Sequence, residues 1–463
     1  MRARSRQPLP AGFGTVWSSV AVDLVGFGIV LPILPIYARR FHASPLEAAL
    51  LVSAFSAAGF VCSPLWGRLS DRIGRRPVIL ISLAGTAVGS LLTGLAGGLP
   101  LLFAGRLVDG GSGASVAVAQ AAAADLSPPG ERTRLFGLLG AAFGVGFVAG
   151  PAIGALGALA GPRAPFLLAA GIAGVNALVA AARLPETREP SGCGPLAAPS
   201  EPSGRAPLAA PSEPSGRDPL PSPFADAARP APSASSGRAP LAAPSGPSAG
   251  APRAPRDLGP PVGPPAPERP AAPGGVAALV AVAFAAMVAF SGFEATFALF
   301  GQRHLGFGIG SAAAVFTGVG AVIVVVQAGL VRPVVRRLGE SRTLVAGLAA
   351  NAAGLLLLAA ATSWALAAPA LLALTVGQGL VQTTMASALA GLSSPARRGR
   401  VLGAQQSASS LARVVGPAVG GALLGSQVGG GPYLLGAAMT GLALVGVVVS
   451  IYRSKPAGYI TER

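Results

Sequence analysis

A chain of 463 residues that is 52% hydrophobic and only 11% charged cannot clothe a soluble surface of that size, for which roughly 25% charge is usual. Its formal charge of +17 would suit a polyanionic partner, but distribution argues otherwise: of 34 Lys and Arg, 28 fall on one side of an N-inside, twelve-span topology, four (Arg39, Arg40, Arg163, Arg303) on the other, and two (Arg106, Arg413) within spans. That asymmetry is the positive-inside pattern of a membrane protein, and it speaks against a nucleic-acid partner.

Twelve apolar windows lie near residues 16–38, 46–66, 77–97, 99–124, 135–158, 163–183, 276–300, 311–331, 341–362, 364–391, 400–424 and 431–452. Most reach the ~20 residues that a helix needs to cross ~30 Å of hydrocarbon. The short basic N-terminus precedes a long first run without a small-residue cleavage site, which reads as a retained span rather than a signal peptide. Cys62 and Cys193 are too dissimilar in setting to pair, so neither a disulfide nor a metal site is expected.

In chain order, span 1 carries Asp23 and, one turn later, Phe27. A charge at membrane depth costs about 2.5–3.5 kcal/mol or more and normally faces a cavity, so Asp23 is a candidate proton site. Between spans 2 and 3 lies GRLSDRIGRR, with Gly67, Asp71, Arg72, Gly74, Arg75 and Arg76. A carboxylate just before span 3 can accept N–H groups at the helix start, while the arginines can pair with acids or lipid phosphates. In span 4, Arg106, Asp109, Gly110, Gly113, Ala117 and Gln120 recur every three or four residues, and so share one helix face. Arg106 and Asp109 are either a stabilising i, i+3 pair or participants in proton transfer.

Span 5 is rich in glycine, including Gly146, Gly150 and Gly154 beside Pro151. Glycine permits close helix approach in lipid, and proline removes a backbone hydrogen bond and invites a bend. Residues 186–275 then turn to Pro, Ala, Ser and Gly, with a unit repeated as GPLAAPSEPSG, RAPLAAPSEPSG and RAPLAAPSGPSA. Such sequence offers too little apolar surface to order itself, and is read as an interlobe linker between an N-terminal lobe, 1–185, and a C-terminal lobe, 276–463.

Span 7 contains Glu294, a candidate proton site or anchor for a cationic compound, flanked by Phe290 and Phe297; Gln378, Gln382 and Met385 share a face of span 10. Aromatic rings and amides suit flat or cationic compounds. Arg413, in span 11, is a candidate partner for one of the acids. The halves also repeat: Arg134-x-x-Gly137 precedes Gly150-Pro151 as Arg400-x-x-Gly403 precedes Gly416-Pro417, with the Arg-to-Gly spacing 16 residues in both and the copies 266 apart. RPVVRRLGESR likewise echoes GRLSDRIGRR, Gly339 standing for Gly74 and Arg336 where Asp71 would be.

These motifs resemble those of the major facilitator superfamily. GRLSDRIGRR is similar to its loop between helices 2 and 3, AGRLVDGG to its helix-4 R-x-x-Q-G motif with Asp109 at the Gln, and GVGFVAGPAIGALG to its antiporter signature. The AVDLVGFGIVLPILP segment and the GPRAPFLLAAGIAGVNAL run resemble the tetracycline and multidrug exporters, with spans 1 to 6 matching best.

The resemblance implies an all-α membrane protein: twelve transmembrane helices in two pseudo-symmetric six-helix lobes, termini cytoplasmic, helices 1, 4, 7 and 10 around a central cavity. It implies a proton-coupled exporter of small amphipathic compounds in a bacterial inner membrane, acting as a monomer on a small-molecule substrate and protons. Proton coupling would fall to Asp23, Arg106, Asp109 and Glu294; substrate contact to Phe27, Gln120, Phe290, Phe297, Gln378, Gln382 and Met385. The loop motif and the span-5 glycines would serve as latch and bend.

Two departures argue against tetracycline as cargo: many of its exporters carry acids in helices 3 and 9, where this chain has Gly89 and Asn351. No phosphate loop of the G-x-x-x-x-G-K-[ST] kind is present, so neither ATP nor a cofactor is expected, nor enzymatic chemistry. A proton symporter on the same fold, or a membrane sensor or scaffold using the linker, remain as alternatives.

Overall fold

A computed structural model describes residues 9–10, 12–126, 132–187, 273–391, 395–426 and 430–453. The repeat-bearing segment, on which the linker reading falls, lies outside the described residues. In chain order the helices are α1 (Phe13–Ala38), α2 (Pro45–Ile73), α3 (Arg75–Gly94), α4 (Leu99–Ser112), α5 (Ser115–Asp125), α6 (Arg132–Ala158) and α7 (Ala164–Arg183). There follow α8 (Pro273–His304), α9 (Ile309–Val325), α10 (Val331–Leu338), α11 (Glu340–Ala359), α12 (Trp364–Gly391), α13 (Pro395–Gly425) and α14 (Gly431–Arg453).

Ten of the described helices are long and apolar enough to cross a bilayer. The other two expected spans are interrupted. Span 4 is not one helix but α4 and α5, broken at Gly113–Ala114, where Gly110-Gly111-Ser112-Gly113 weakens helix propensity. Span 8 is α9 and α10 joined by a π-helical turn, Val326–Leu330. The regular face expected from Arg106 to Gln120 therefore ends at Gly113.

Local sequence sets the helix ends. Ser44 and Glu47 form a capping box at the start of α2, Ser44 N–H donating to Glu47 Oε2 at 2.7 Å and Glu47 N–H to Ser44 Oγ at 3.2 Å, with Pro45 at the first position. Gly74 (φ 99°) joins α2 to α3, and Gly339 (φ 78°) joins α10 to α11. Both lie in the region that L side chains avoid, so the repeat read from sequence is also a repeat of backbone conformation.

Close backbone approach builds each lobe in the same way. A Cβ on Gly150 of α6 would lie 2.6 Å from Gly28 Cα of α1. In the second lobe a Cβ on Gly416 of α13 would lie 2.5 Å from the Val288 carbonyl of α8. Gly146 and Gly154 continue the first contact, against Leu24 and Ile29, which accords with the packing expected of span 5.

The apolar cores show how the lobes meet. One cluster, away from the α2–α3 and α10–α11 loops, joins both lobes: Ile33 and Tyr37 of α1 and Leu51 of α2 with Phe293 and Phe297 of α8 and Phe316 of α9. Toward those loops the core divides. One cluster draws only on the first lobe, from Phe13 to Leu184, and another only on the second, from Val282 to Val447. At the joined end Ser53 Oγ donates to the Val414 carbonyl at 2.8 Å, and a Cβ on Gly421 would lie 2.5 Å from Ala49 Cβ. The lobes are sealed at one end and separately packed at the other.

Candidate functional site: ionisable groups around a central cavity

The break between α4 and α5 positions the first-lobe cluster. It turns the N–H groups of Ala114 and Ser115 toward α3, and both donate to Ser82 Oγ, at 3.0 and 2.9 Å, with Ala114 N–H also reaching the Ser112 carbonyl. Ser115 Oγ in turn donates to Asp23 Oδ2 at 2.5 Å. Asp23 Oδ1 is buried and has no hydrogen-bond partner among the described residues. Thr86 of α3 lies beside both Asp23 and Asp109, so two carboxyl groups from different helices share one hydroxyl neighbour.

Asp109 is paired. Arg106 Nη1 meets Asp109 Oδ2 at 2.6 Å, both side chains buried, and the guanidinium lies 4.4 Å from the centre of the Phe55 ring. Gly110 packs on the Phe55 backbone and Gly89 on Asp109, where a Cβ would come within 2.6 Å of Asp109 Cβ. There is thus no room for an acidic side chain at position 89 without moving α4. Asn351, the other departure, donates from Nδ2 to Gln378 Oε1 at 2.9 Å.

In the second lobe Glu294 is buried, 9% exposed, and the charge acting on it is that of Arg413. Arg413 forms no ion pair among the described residues. Three cavities share this side chain. The largest, 450 Å³, lies between Phe27, Phe55 and Arg106 on one side and Glu294, Ser410 and Arg413 on the other. A second, 190 Å³, opens on Asp23, Thr86, Asp109 and Ser115. A third, 370 Å³, opens on Gln378, Gln382, Met385, Gln405 and Ser409.

The expected site residues therefore divide. Asp23, Phe27, Arg106, Asp109, Glu294, Gln378, Gln382 and Met385 all line these cavities. Gln120 does not: it is exposed on α5, beyond the break that ends the shared face. Phe290 and Phe297, four residues before and three after Glu294, also lie elsewhere, buried in the apolar core and in ring contact with Phe293.

Sequence reading passes over Ser115, Thr86 and the polar run Gln405-Gln406-Ser407 to Ser410 on α13. The last has a signal, since α13 is the least apolar of the crossing helices, with mean hydropathy 1.2.

The loop motif is knit to the end of α7. Arg75 Nη1 pairs with Asp71 at 2.9 Å, its Nε with Asp125 at 3.0 Å, and Nη1 also donates to Ser70 Oγ at 2.6 Å. The carboxylate that accepts the first N–H groups of α3 is not Asp71, as expected, but Glu186, from Arg75 at 2.8 Å and Arg76 at 3.1 Å. Gly74 leaves the space that Glu186 enters, and Arg76 Nη2 reaches the Ala181 carbonyl at 2.6 Å. Arg72 is exposed, and Gly67 lies within the last turns of α2.

Two helical lobes sealed at one end, with ionisable groups around cavities between them, define the class: a multi-pass helical membrane protein with a central polar site. The sequence model of the Major Facilitator Superfamily matches residues 16–339 and 330–461, and the chain belongs to that family, one of transporters rather than enzymes.

The class E tetracycline resistance protein of Escherichia coli is 40% identical over 171 residues, 36% of this chain and 42% of that protein. Multidrug resistance protein 2 of Bacillus subtilis is 32% identical over 171 residues, 37% of this chain and 43% of that protein. These alignments span about two-fifths of the relatives' length. Among solved structures, the human organic anion transporter MFSD10 superposes with TM-score 0.60 at 23% identity, covering 94% of this chain and 98% of that one. A mutant of the peptide transporter POT reaches 0.68 at 13%, covering 97% and 95%. Both show the same fold.

Proposed function

We propose that the chain is a proton-coupled exporter of small amphipathic compounds, working by alternating access in a bacterial inner membrane with its termini and α2–α3 loop cytoplasmic. The observation that carries this reading is the placement of Asp23, Asp109 and Glu294 on cavities between two lobes sealed only at the far end. The named resistance activities of the relatives support the direction of transport, and the basic α2–α3 loop supports the orientation. In this reading 1–185 and 276–463 are the moving lobes, a single copy suffices, and residues 186–275 tether them.

With the cavity open to the cytoplasm, a proton leaves Asp23 or Glu294 and cargo binds. The lobes rock, an external proton reoccupies the acid, and cargo departs. Exchange requires only that proton and cargo favour different states. Asp23 is the stronger proton site, since one oxygen is held by Ser115 and the other is buried beside Thr86 with no hydrogen bond of its own among the described residues. The Arg106–Asp109 pair supplies a fixed charge beside it, and the Asp71–Arg75–Asp125 contacts form a latch at the cytoplasmic end.

Everted vesicles incubated with a panel of dyes and antibiotics test this. Wild type should accumulate compounds on imposition of a proton gradient, acid inside, while Asp23→Asn and Glu294→Gln lose most of that uptake. Normal accumulation by both variants overturns the proton-site assignment. Accumulation driven only by the reverse gradient indicates symport.

A further inference from the structure

Arg413 is the cavity feature that proton exchange does not use. It lies on the α13 face that also carries Gln406, Ser410 and Pro417, spaced at helical intervals along the largest cavity. Arg413 is half-buried, has no ion pair among the described residues, and shares that cavity with Glu294, which lies within reach of its charge without being in salt-bridge contact. A cation and an anion thus face one space from adjacent helices with a gap between them. The opposite wall is aromatic, with Phe27 and Phe55 in ring contact at 5.4 Å between centroids.

We infer that this cavity selects zwitterions: an aromatic body against Phe27 and Phe55, a carboxylate on Arg413, and an ammonium toward Glu294. A simple cation would meet Glu294 but be opposed by Arg413, and a simple anion the reverse; like charges brought together are a strong discriminator. A zwitterion satisfies both partly desolvated groups at once, which a partner of one sign leaves unpaired. The volume of 450 Å³ lies within the range of sites for small organic ligands, about 300–1,000 Å³. The inference names the cargo class of the exporter proposed above and rests on that reading for direction of travel alone; binding does not depend on it.

The test measures equilibrium binding by calorimetry to the purified full chain in detergent, near neutral pH. Three probes are used: 4-(piperazin-1-yl)benzoic acid, its methyl ester, and 4-methylbenzoate. The zwitterion should bind about tenfold or more tighter than either the cationic ester or the anion, the effect of one charge-assisted hydrogen bond set. Arg413→Gln should abolish the preference, weakening the zwitterion and strengthening the ester, which Arg413 no longer opposes, whereas Arg413→Lys should keep part of the preference. Equal binding of zwitterion and ester by wild type, no binding of any probe, or a preference that survives Arg413→Gln overturns the inference. Should Arg413→Gln not fold, the wild-type ranking and Arg413→Lys still decide it. A zwitterion preference with no proton-driven uptake in vesicles would sink the efflux reading and leave this one standing.

Discussion

At the scale of residues, the Arg106–Asp109 pair and the Asp23–Ser115 bond respond to substitution in different ways. Removing one member of a buried ion pair leaves an uncompensated charge and costs about 3–5 kcal/mol, whereas replacing both by apolar groups is often neutral. Arg106→Leu is therefore expected to lower the unfolding free energy in mixed micelles strongly, and Arg106→Leu with Asp109→Leu to recover most of the loss without recovering efflux. Failure of the double variant to recover would show that Asp109 is held by more than Arg106.

Ser115→Ala removes the hydroxyl that meets Asp23. It should slow proton-driven efflux several-fold, with Ser115→Thr close to wild type in the same vesicle assay.

The first of these contacts is legible in sequence, because an i, i+3 pair on one helix needs only the period to be seen. The second joins residues 92 apart and depends on a helix break that hydropathy alone runs straight through. Glu294 and Asp23 stand out in sequence for one reason, as charges within apolar runs. Phe290 and Phe297 mislead, because aromatic residues beside a buried acid look the same in sequence whether they face a cavity or a core.

Among elements, glycine contacts decide which helices touch. Gly150→Ala and Gly416→Ala each force a Cβ onto a facing backbone, and overpacking of this kind costs about 1–3 kcal/mol. Both should lower the melting temperature in detergent, while Gly174→Ala, with open space around its Cβ position, should not. Equal melting of all three variants would mean that the helices slide apart freely.

Glycine spacing makes these interfaces readable, as does the 266-residue repeat. The seat of Glu186 on α3 is not readable: a carboxylate at the edge of a Pro-rich segment gives no sign of the helix it caps. Asp71 is the better candidate by nearness in sequence, but it is occupied by Arg75.

For the molecule as a whole, the undivided core at one end and the divided core at the other would, in the proposed reading, make this the state open to cytoplasmic cargo. Joining Ala49→Cys to Gly421→Cys, with Cys62 and Cys193 replaced by Ser, should trap that state. Efflux should stop on oxidation and return on reduction; continued efflux by the cross-linked protein would mean that this end does not open. Deleting residues 190–270 should keep efflux within about twofold of wild type, since loop closure depends only weakly on length. Loss of activity on deletion would instead give the segment a working part.

The charges that line the three cavities are Asp23, Asp109, Glu294, Arg106 and Arg413. Three acids against two guanidiniums leave one formal negative charge, which a single proton cancels. An electric field across the membrane would then act on the empty, unprotonated carrier and scarcely on the protonated one, at about 2.3 kcal/mol per charge per 100 mV for a full crossing. A zwitterion brings no net charge of its own. Its exchange for one proton would carry current, so the organism's resting voltage, and not only its acidity gradient, would set how far the cargo can be expelled.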